Sequence, residues 1–481
     1  MVEPCLVGWS QHSRFDGEPL DAWAAALRST GVDPARIDSL DIVYCQSWQY
    51  DDPPRRLADA VGANPRRVHY SGIGGTTPLR LMEAAAERIR TGESDVCAIV
   101  GGEALATVRA HKKAGDRPQW RFREAERSPL PFEAPFHPAE VAHEVFQAYT
   151  TFALRDVARR VRLGASPADY RRDIGALFAP FTQIAAANPH AWFPVERTAD
   201  ELTDVTTDNR LVAYPYTKLV VAIMDVDLVG ALILASPEAA DAMGIAPDRR
   251  VSVRGTGSAD DPVYVAEHPD LSTSPGLAAA IAQALSNSGV DIDDIARFDL
   301  YSCFPASVHF TLDALGIDIG DDRPFTVTGG LPYAGGPGSA YGLLSMAAMA
   351  DRLVEDPGSI GMVTAVGMHL SKHSAVVMST TPNALATPSS TTPAPAGAGE
   401  TPAFAIDDVY TGPATVAAYT VLHGSDGAPR SGLAVCDVGE RRRCYATTNN
   451  VELLEVLERD EYVGSTVDIV SSERVNEMRV P

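Results

Sequence analysis

Cysteine is scarce in this chain of 481 residues, and its six copies are scattered: Cys5, Cys45, Cys97, Cys303, Cys436 and Cys444. None stands at metal-ligand spacing, so neither a zinc centre nor a disulfide framework is expected. The eleven histidines show no ligand spacing with carboxylates or cysteines, and no metal site is expected from them. Basic charge is also short, with 40 Lys and Arg against 63 Asp and Glu and a net charge of −23. Phosphate backbones need a concentrated basic face, so nucleic acid is excluded as a partner. No apolar run reaches the roughly 18 residues a membrane-spanning helix requires. The first residues, MVEPCLVGWSQHSRF, lack a basic start, an apolar core and a small-residue cleavage site, and a cytoplasmic location is expected.

What is present is an ordinary globular composition, 45% apolar and 21% charged, in a chain too long for one core. An internal repeat organises it. Residues 31–48, GVDPARIDSLDIVYCQSW, are echoed by 289–306, GVDIDDIARFDLYSCFPA, with Ile37/Ile295, Asp41/Asp299 and Cys45/Cys303 in register. A second pair follows in the same order: 74–102 and 335–367 each open on a glycine-rich turn, run through an apolar helix and end in a buried-type strand. This describes two related α/β halves, 1–106 and 246–382, each a sheet covered by helices. The stretch 107–245 breaks the pattern and is read as a loop domain that returns to the first sheet. Its basic clusters, Arg117–Arg127 and Arg155–Arg172, are open to two readings, a solvated helix face or a site for an anionic cofactor. Residues 383–402 are almost wholly Ala, Pro, Ser, Thr and Gly, which makes a linker. Beyond it, 403–481 alternates apolar and polar residues around a Ser-Asp-Gly turn, predicting a small OB-like β-barrel.

The segments TGESDVCAIVGGEA (91–104), YSCFP (301–305), TGGLPYAGGPGSAYG (328–342) and VGMHLSKHSAVVMSTTP (366–382) resemble the thiolase superfamily, in particular the sterol-carrier-protein-x type. The resemblance covers roughly 1–382. It implies the five-layered αβαβα fold, an acetyl-CoA acetyltransferase name, coenzyme A or acyl-CoA as ligand, and a homodimer through the N-terminal half. It also locates the family's chemistry, and each position is altered. The nucleophilic cysteine, normally activated at a helix N-terminus, falls at Gly75. The motif that holds catalytic water or substrate reads Tyr301-Ser302-Cys303-Phe304. The Gly-His-Pro histidine becomes Gly336, and the acid/base cysteine falls near Ala365. Without those groups no acyl-enzyme forms and enolate formation has no partner.

Candidate residues remain. Tyr301 is the first candidate for chemistry, because a cysteine-free aldolase branch of the superfamily relies on tyrosines and works with a separate OB-fold partner. His369 and His373 are candidates for acid/base work or for satisfied structural positions. Gly74, Gly75, Gly335 and Gly336 would lie near a thioester, and Arg121, Arg123 and Arg127 near the phosphates of coenzyme A. Two readings stay open: a silent binder of coenzyme A thioesters in lipid or sterol metabolism, or an enzyme, either a retro-aldolase using Tyr301 or an acyltransferase of another mechanism.

Overall fold

The computed structural model describes residues 3–124, 136–383 and 402–479. The first half supplies β1 (Cys5–Ser13), β2 (Ser39–Ile42), β3 (Arg67–Tyr70) and β4 (Val96–Ala104). A largely helical stretch follows, with short strands β5 (Leu211–Ala213) and β6 (Tyr216–Thr217), before β7 (Asp227–Ala235) returns to the sheet between β4 and β1. The second half supplies β8 (Val251–Asp260), β9 (Arg297–Asp299), β10 (Ile360–Gly367) and β11 (Lys372–Ser379). Strand order is β3-β2-β4-β7-β1-β8-β11-β10-β9, and the halves meet where β1 and β8 pair over Cys5–Leu6.

Each half repeats the other. Segment Pro324–Phe325 bonds to β9 through Phe298 N–H and Leu300 N–H, both at 2.9 Å, as β3 pairs with β2. Helices Thr77–Arg90 and Tyr341–Glu355 each touch strands of both half-sheets and form the central layer. Helix Pro19–Ser29 covers the first half-sheet and helix Pro275–Ser288 the second, which completes five layers. The repeated aspartates show why the pattern is needed. Asp41 is buried and pairs with Arg67 of β3 (2.9 Å) and with Arg88 of the first central helix. Its counterpart Asp299 is equally buried and accepts from Ser345 Oγ (2.7 Å) of the second. Each half thus ties its central helix to its sheet through one internal carboxylate.

Of the predicted linker, residues 384–401 lie outside the described residues. After it come β12 (Ala405–Ile406), β13 (Gly412–His423), β14 (Pro429–Gly439), β15 (Arg442–Thr448), β16 (Thr466–Ser472) and β17 (Val475–Arg479). Strands β13-β14-β15-β17-β16 close into a five-stranded barrel, with helix Val451–Arg459 between β15 and β16. The barrel is built into the body. β5 joins its sheet at Ala213↔Leu422, and Leu154, Ala158, Val265 and Leu271 share one apolar cluster with Leu433, Val435 and Tyr445. A buried polar junction sits beside that cluster: Tyr445 Oη donates to Glu140 Oε1 (2.7 Å) and accepts from Ala266 N–H (3.1 Å).

Candidate functional site

Three loops at strand ends converge with the start of helix Ala148–Arg162. Gly72–Thr76 leads into helix Thr77–Arg90, Leu300–Phe304 follows β9, and Gly367–Ser371 follows β10. Phe304 packs on Phe152 of the 148–162 helix at a 4.7 Å ring separation. The glycine turns meet here as well, since Gly74 N–H donates to Ser339 Oγ (3.0 Å) of the second glycine-rich segment.

The seat at Gly75 is filled. A Cβ placed there would overlap the Val366 carbonyl oxygen and Tyr301 Oη, and would lie 2.8 Å from Tyr301 Cζ. Tyr301 is held in that position by its own N–H bond to Thr364 Oγ1 (3.1 Å) and by edge-to-face packing on Tyr341, with ring centroids 5.6 Å apart. Burial drives its phenol above the ordinary tyrosine range, with Cys303 adding to the effect, so the group stays protonated. No hydrogen-bond partner meets its hydroxyl among the described residues. Gly336 differs. Its N–H bonds Ile223 O (3.0 Å), yet an added Cβ would find only ordinary contacts, the nearest at 3.5 Å. Neighbouring Gly335 has φ +109°, a conformation that favours glycine. Ser302 is buried, and its Oγ accepts from Leu331 N–H (3.1 Å). Ala365 is buried on β10 opposite Ser374. Burial pushes the Cys303 thiol up to about 12, which leaves it without thiolate at neutral pH.

The two histidines diverge. His373 Nε2 faces both Asp261 Oδ2 (3.0 Å) and Ser274 Oγ (3.2 Å), while its Nδ1 is buried without a partner. A nucleophile relay uses the two ring nitrogens separately, one toward each neighbour, so this serine–histidine–aspartate group is not one. It fastens β11 to Ser274, the N-cap of helix Pro275–Ser288. His369 is different in kind. Its Nδ1 lies 3.0 Å from Thr151 Oγ1, and that hydroxyl donates its only proton to Ala148 O (3.0 Å). Thr151 therefore accepts from Nδ1–H, and Nε2 is the nitrogen with the lone pair. Burial lowers the imidazole pKa to about 4, so the ring is neutral. Met368 (φ 55°) and Leu370 (φ 60°), both non-glycine, flank it in left-handed conformations. Strain of this kind persists only where the surroundings over-determine the loop. Arg155 supplies much of that constraint: it is fully buried and donates to the Leu370 (2.8 Å), Leu271 (3.2 Å) and Thr273 carbonyls. Phe136 packs beside the imidazole at 5.1 Å and also lines a cleft of about 520 Å³ with Ala139, Val141, Val475 and Arg474.

The arginines chosen from sequence are not alike. Arg121 spends its guanidinium on Glu18 and Asp21. Arg123 is exposed over the Trp48 ring at 5.5 Å, with no ion pair among the described residues. Arg127 lies outside the described residues. Of the second basic cluster, Arg155, Arg159 and Arg160 are buried, so that part is not a solvated face; Arg155 and Arg159 are spent on internal carbonyls and on Asp313, and Arg160 pairs with Glu461. Thr151, Phe136 and the Val366 carbonyl escaped the sequence reading, and Arg155 entered it only as part of a basic cluster. Nothing local in the sequence marks a threonine that sets a distant tautomer or a carbonyl that fills a neighbour's seat.

Comparison with solved structures gives a match over the whole chain. A monomeric SCP2-thiolase-like protein type 1 from Mycobacterium smegmatis superposes with a TM-score of 0.86 at 30% identity, covering 100% of this chain and 99% of that one. The chain belongs to the SCP2-thiolase-like family. More distant members of the fold are an Ltp2-ChsH2(DUF35) aldolase (TM-score 0.60, 19% identity, 78% of this chain and 97% of that one) and an acetyl-CoA acetyltransferase from Syntrophomonas wolfei (0.58, 17%, 79% and 100%). No protein-family model matches the chain, and no curated protein matches it. The SCP2-thiolase-like fold therefore extends through the barrel, since the first match leaves no part of the chain unaligned. No helix of the described residues is long and apolar enough to cross a membrane.

Proposed function

We propose that this SCP2-thiolase-like protein binds coenzyme A thioesters without cysteine-based thiolase chemistry, in the service of lipid or sterol metabolism. The observation that carries the reading is the closed seat at Gly75, where a backbone carbonyl and a protonated phenol occupy the space a nucleophile would need. The names of the neighbours, thiolase-like and acetyl-CoA acetyltransferase, support a thioester as ligand. Within that reading, His369 Nε2 offers a neutral hydrogen-bond acceptor, the Phe136 cleft offers apolar room for an acyl chain, and Arg123 offers an unspent charge for a phosphate. Gly74, Gly75, Gly335 and Gly336 remain the proposed lining near the thioester.

Calorimetric titration with coenzyme A, acetyl-CoA and acetoacetyl-CoA, alongside a thiolysis assay, tests the reading. Binding without thiolysis is expected, and turnover of acetoacetyl-CoA by the pure chain would sink it. One observation favours a second reading, a retro-aldolase: the Tyr301 hydroxyl lies unpartnered at the Gly75 turn. Release of a carbonyl product from a 3-hydroxyacyl-CoA, abolished in Tyr301→Phe, would establish that alternative. The homodimer expected by family resemblance gives way to a proposed monomer. Edge strand β3 is only four residues long, and Arg66 and Arg67 crowd its start. The 30%-identical relative is monomeric by its description. Light scattering of the pure chain decides between them.

A further inference from the structure

The barrel interior holds a pair of reactive groups that thioester binding leaves unused. Strands β14 and β15 run antiparallel, and their register sets Cys436 directly opposite Cys444, next to the Ala434–Ala446 pair. Opposed residues project from the same face of a sheet, with α-carbons roughly 4.5 or 5.5 Å apart according to ladder position. Both separations fall within the roughly 4.4–6.8 Å that a disulfide spans. The face concerned is the inner one. Cys436, Cys444, Ala434 and Ala446 belong to the barrel's own apolar cluster, whereas Leu433, Val435 and Tyr445 face the body. Both cysteines are free and fully buried. The other four lie in the body: Cys5 and Cys97 face carbonyls of Ala235 and Ala85, Cys45 lies by Ser47 and Glu103, and Cys303 by Ser307.

We propose that Cys436 and Cys444 are a redox pair that closes to a cross-strand disulfide, with a low-molecular-weight disulfide as oxidant. The Cys444 thiolate attacks one sulfur of the oxidant and expels the first small thiolate. The Cys436 thiolate then attacks the Cys444 sulfur of the mixed disulfide and expels the second. Two protein thiols lose two electrons and two protons, and one oxidant molecule becomes two thiols. Burial raises both thiols, so neither reacts until the barrel opens transiently. Cys444 is the first to be reached, because its strand β15 joins β17 through the pair Thr447 and Glu477, whereas β14 pairs along its length with both β13 and β15. The closed bond staples the strand that carries Arg443 and Tyr445, the two residues that dock the barrel on Ala266 and Glu140. Redox state thereby controls how readily the junction opens.

The test uses the full chain and no thioester, so its outcome is independent of the proposed function. The protein is incubated with oxidised glutathione in mild, non-denaturing urea, quenched with acid, unfolded, and analysed by thiol titration and peptide mass mapping. Titratable thiols are expected to fall from six to four, with one cross-linked peptide joining Cys436 to Cys444. In Cys436→Ser the expected product is a stable glutathione adduct at Cys444. Retention of all six thiols over a period in which the barrel amides exchange fully with deuterium overturns the proposal. A cross-link between another pair, or an unresolved adduct at Cys444 in the wild type, overturns it equally.

Discussion

Replacing Gly75 by alanine adds one methyl group, and the consequence can be worked from the surrounding atoms. Neither Gly75 nor Gly336 has a φ in the left-handed range, so backbone strain is the same non-issue at both and packing alone separates them. At Gly75 the methyl must displace the Val366 carbonyl oxygen and the Tyr301 ring. The ring could tilt, but the carbonyl belongs to β10, where Val366 is paired with His373 of β11. Overpacking of this kind costs about 1–3 kcal/mol. Restricting the unfolded chain returns about 0.4–1 kcal/mol for any tolerated glycine-to-alanine change. Gly75→Ala is thus expected to destabilise by ~1–2 kcal/mol. Gly336→Ala, whose nearest new contact is 3.5 Å away, is expected to stabilise by up to ~1 kcal/mol. Urea midpoints of the first unfolding transition, read by far-UV circular dichroism for the two variants side by side, avoid any need for absolute two-state energies. Shifts of the same sign and size would refute the reasoning, because the seat at Gly75 would then be open. Gly75→Cys carries the same steric conflict and is expected to restore no thiolysis.

Acid stability should report His369. Its imidazole titrates at about 4 in the fold against about 6.5 when unfolded, so the unfolded chain takes up the proton first. This contribution is complete above about pH 6.5 and is lost as pH falls toward 4, ~3 kcal/mol in all. Urea titrations between those limits should show a slope that His369→Gln flattens, and an unchanged slope counts against the assignment. At the barrel junction, Tyr445→Phe removes the 2.7 Å bond to Glu140 and leaves Ala266 N–H buried without an acceptor. A loss of about 1–3 kcal/mol is expected. It should appear in hydrogen exchange as faster opening at Ala266 and along β15, and exchange confined to wild-type rates would contradict the role given to the junction.

The architecture was legible because it is written twice. Asp41 and Asp299 stand in register in the sequence and prove to be the internal anchors of their central helices, so periodicity, glycine turns and repeat carried the layered fold. The barrel was legible from alternation and a turn. The site was legible only by subtraction: Gly75, Ser302, Gly336 and Ala365 marked where reactive groups are missing, but an absence does not say what fills the space. That Tyr301 leans into the Gly75 seat depends on a contact across 226 positions of sequence, and that Gly336 keeps room for a side chain depends on Ile223 and Leu331. His369 and His373 looked equivalent in MHLSKHS. Their difference rests on Thr151 for one and on Asp261 and Ser274 for the other, none of which is near in sequence.

The helix Ala148–Arg162 serves both the barrel and the loop after β10, through residues spaced three and four apart along one face. Leu154 and Ala158 pack in the cluster shared with barrel residues Leu433, Val435 and Tyr445, and Arg160 pairs with Glu461 at 2.9 Å. Thr151 and Arg155, on the same helix, set the His369 tautomer and hold the Leu370 carbonyl. A left-handed backbone at Met368 and Leu370 would relax if either hold were loose, since strain survives only under constraint from several sides. The barrel is therefore more than an appendage to a thiolase-type body. By packing against this helix it supplies part of the rigidity with which Thr151 and Arg155 hold the His369 loop, in a centre where the seat at Gly75 is closed by a carbonyl and a phenol.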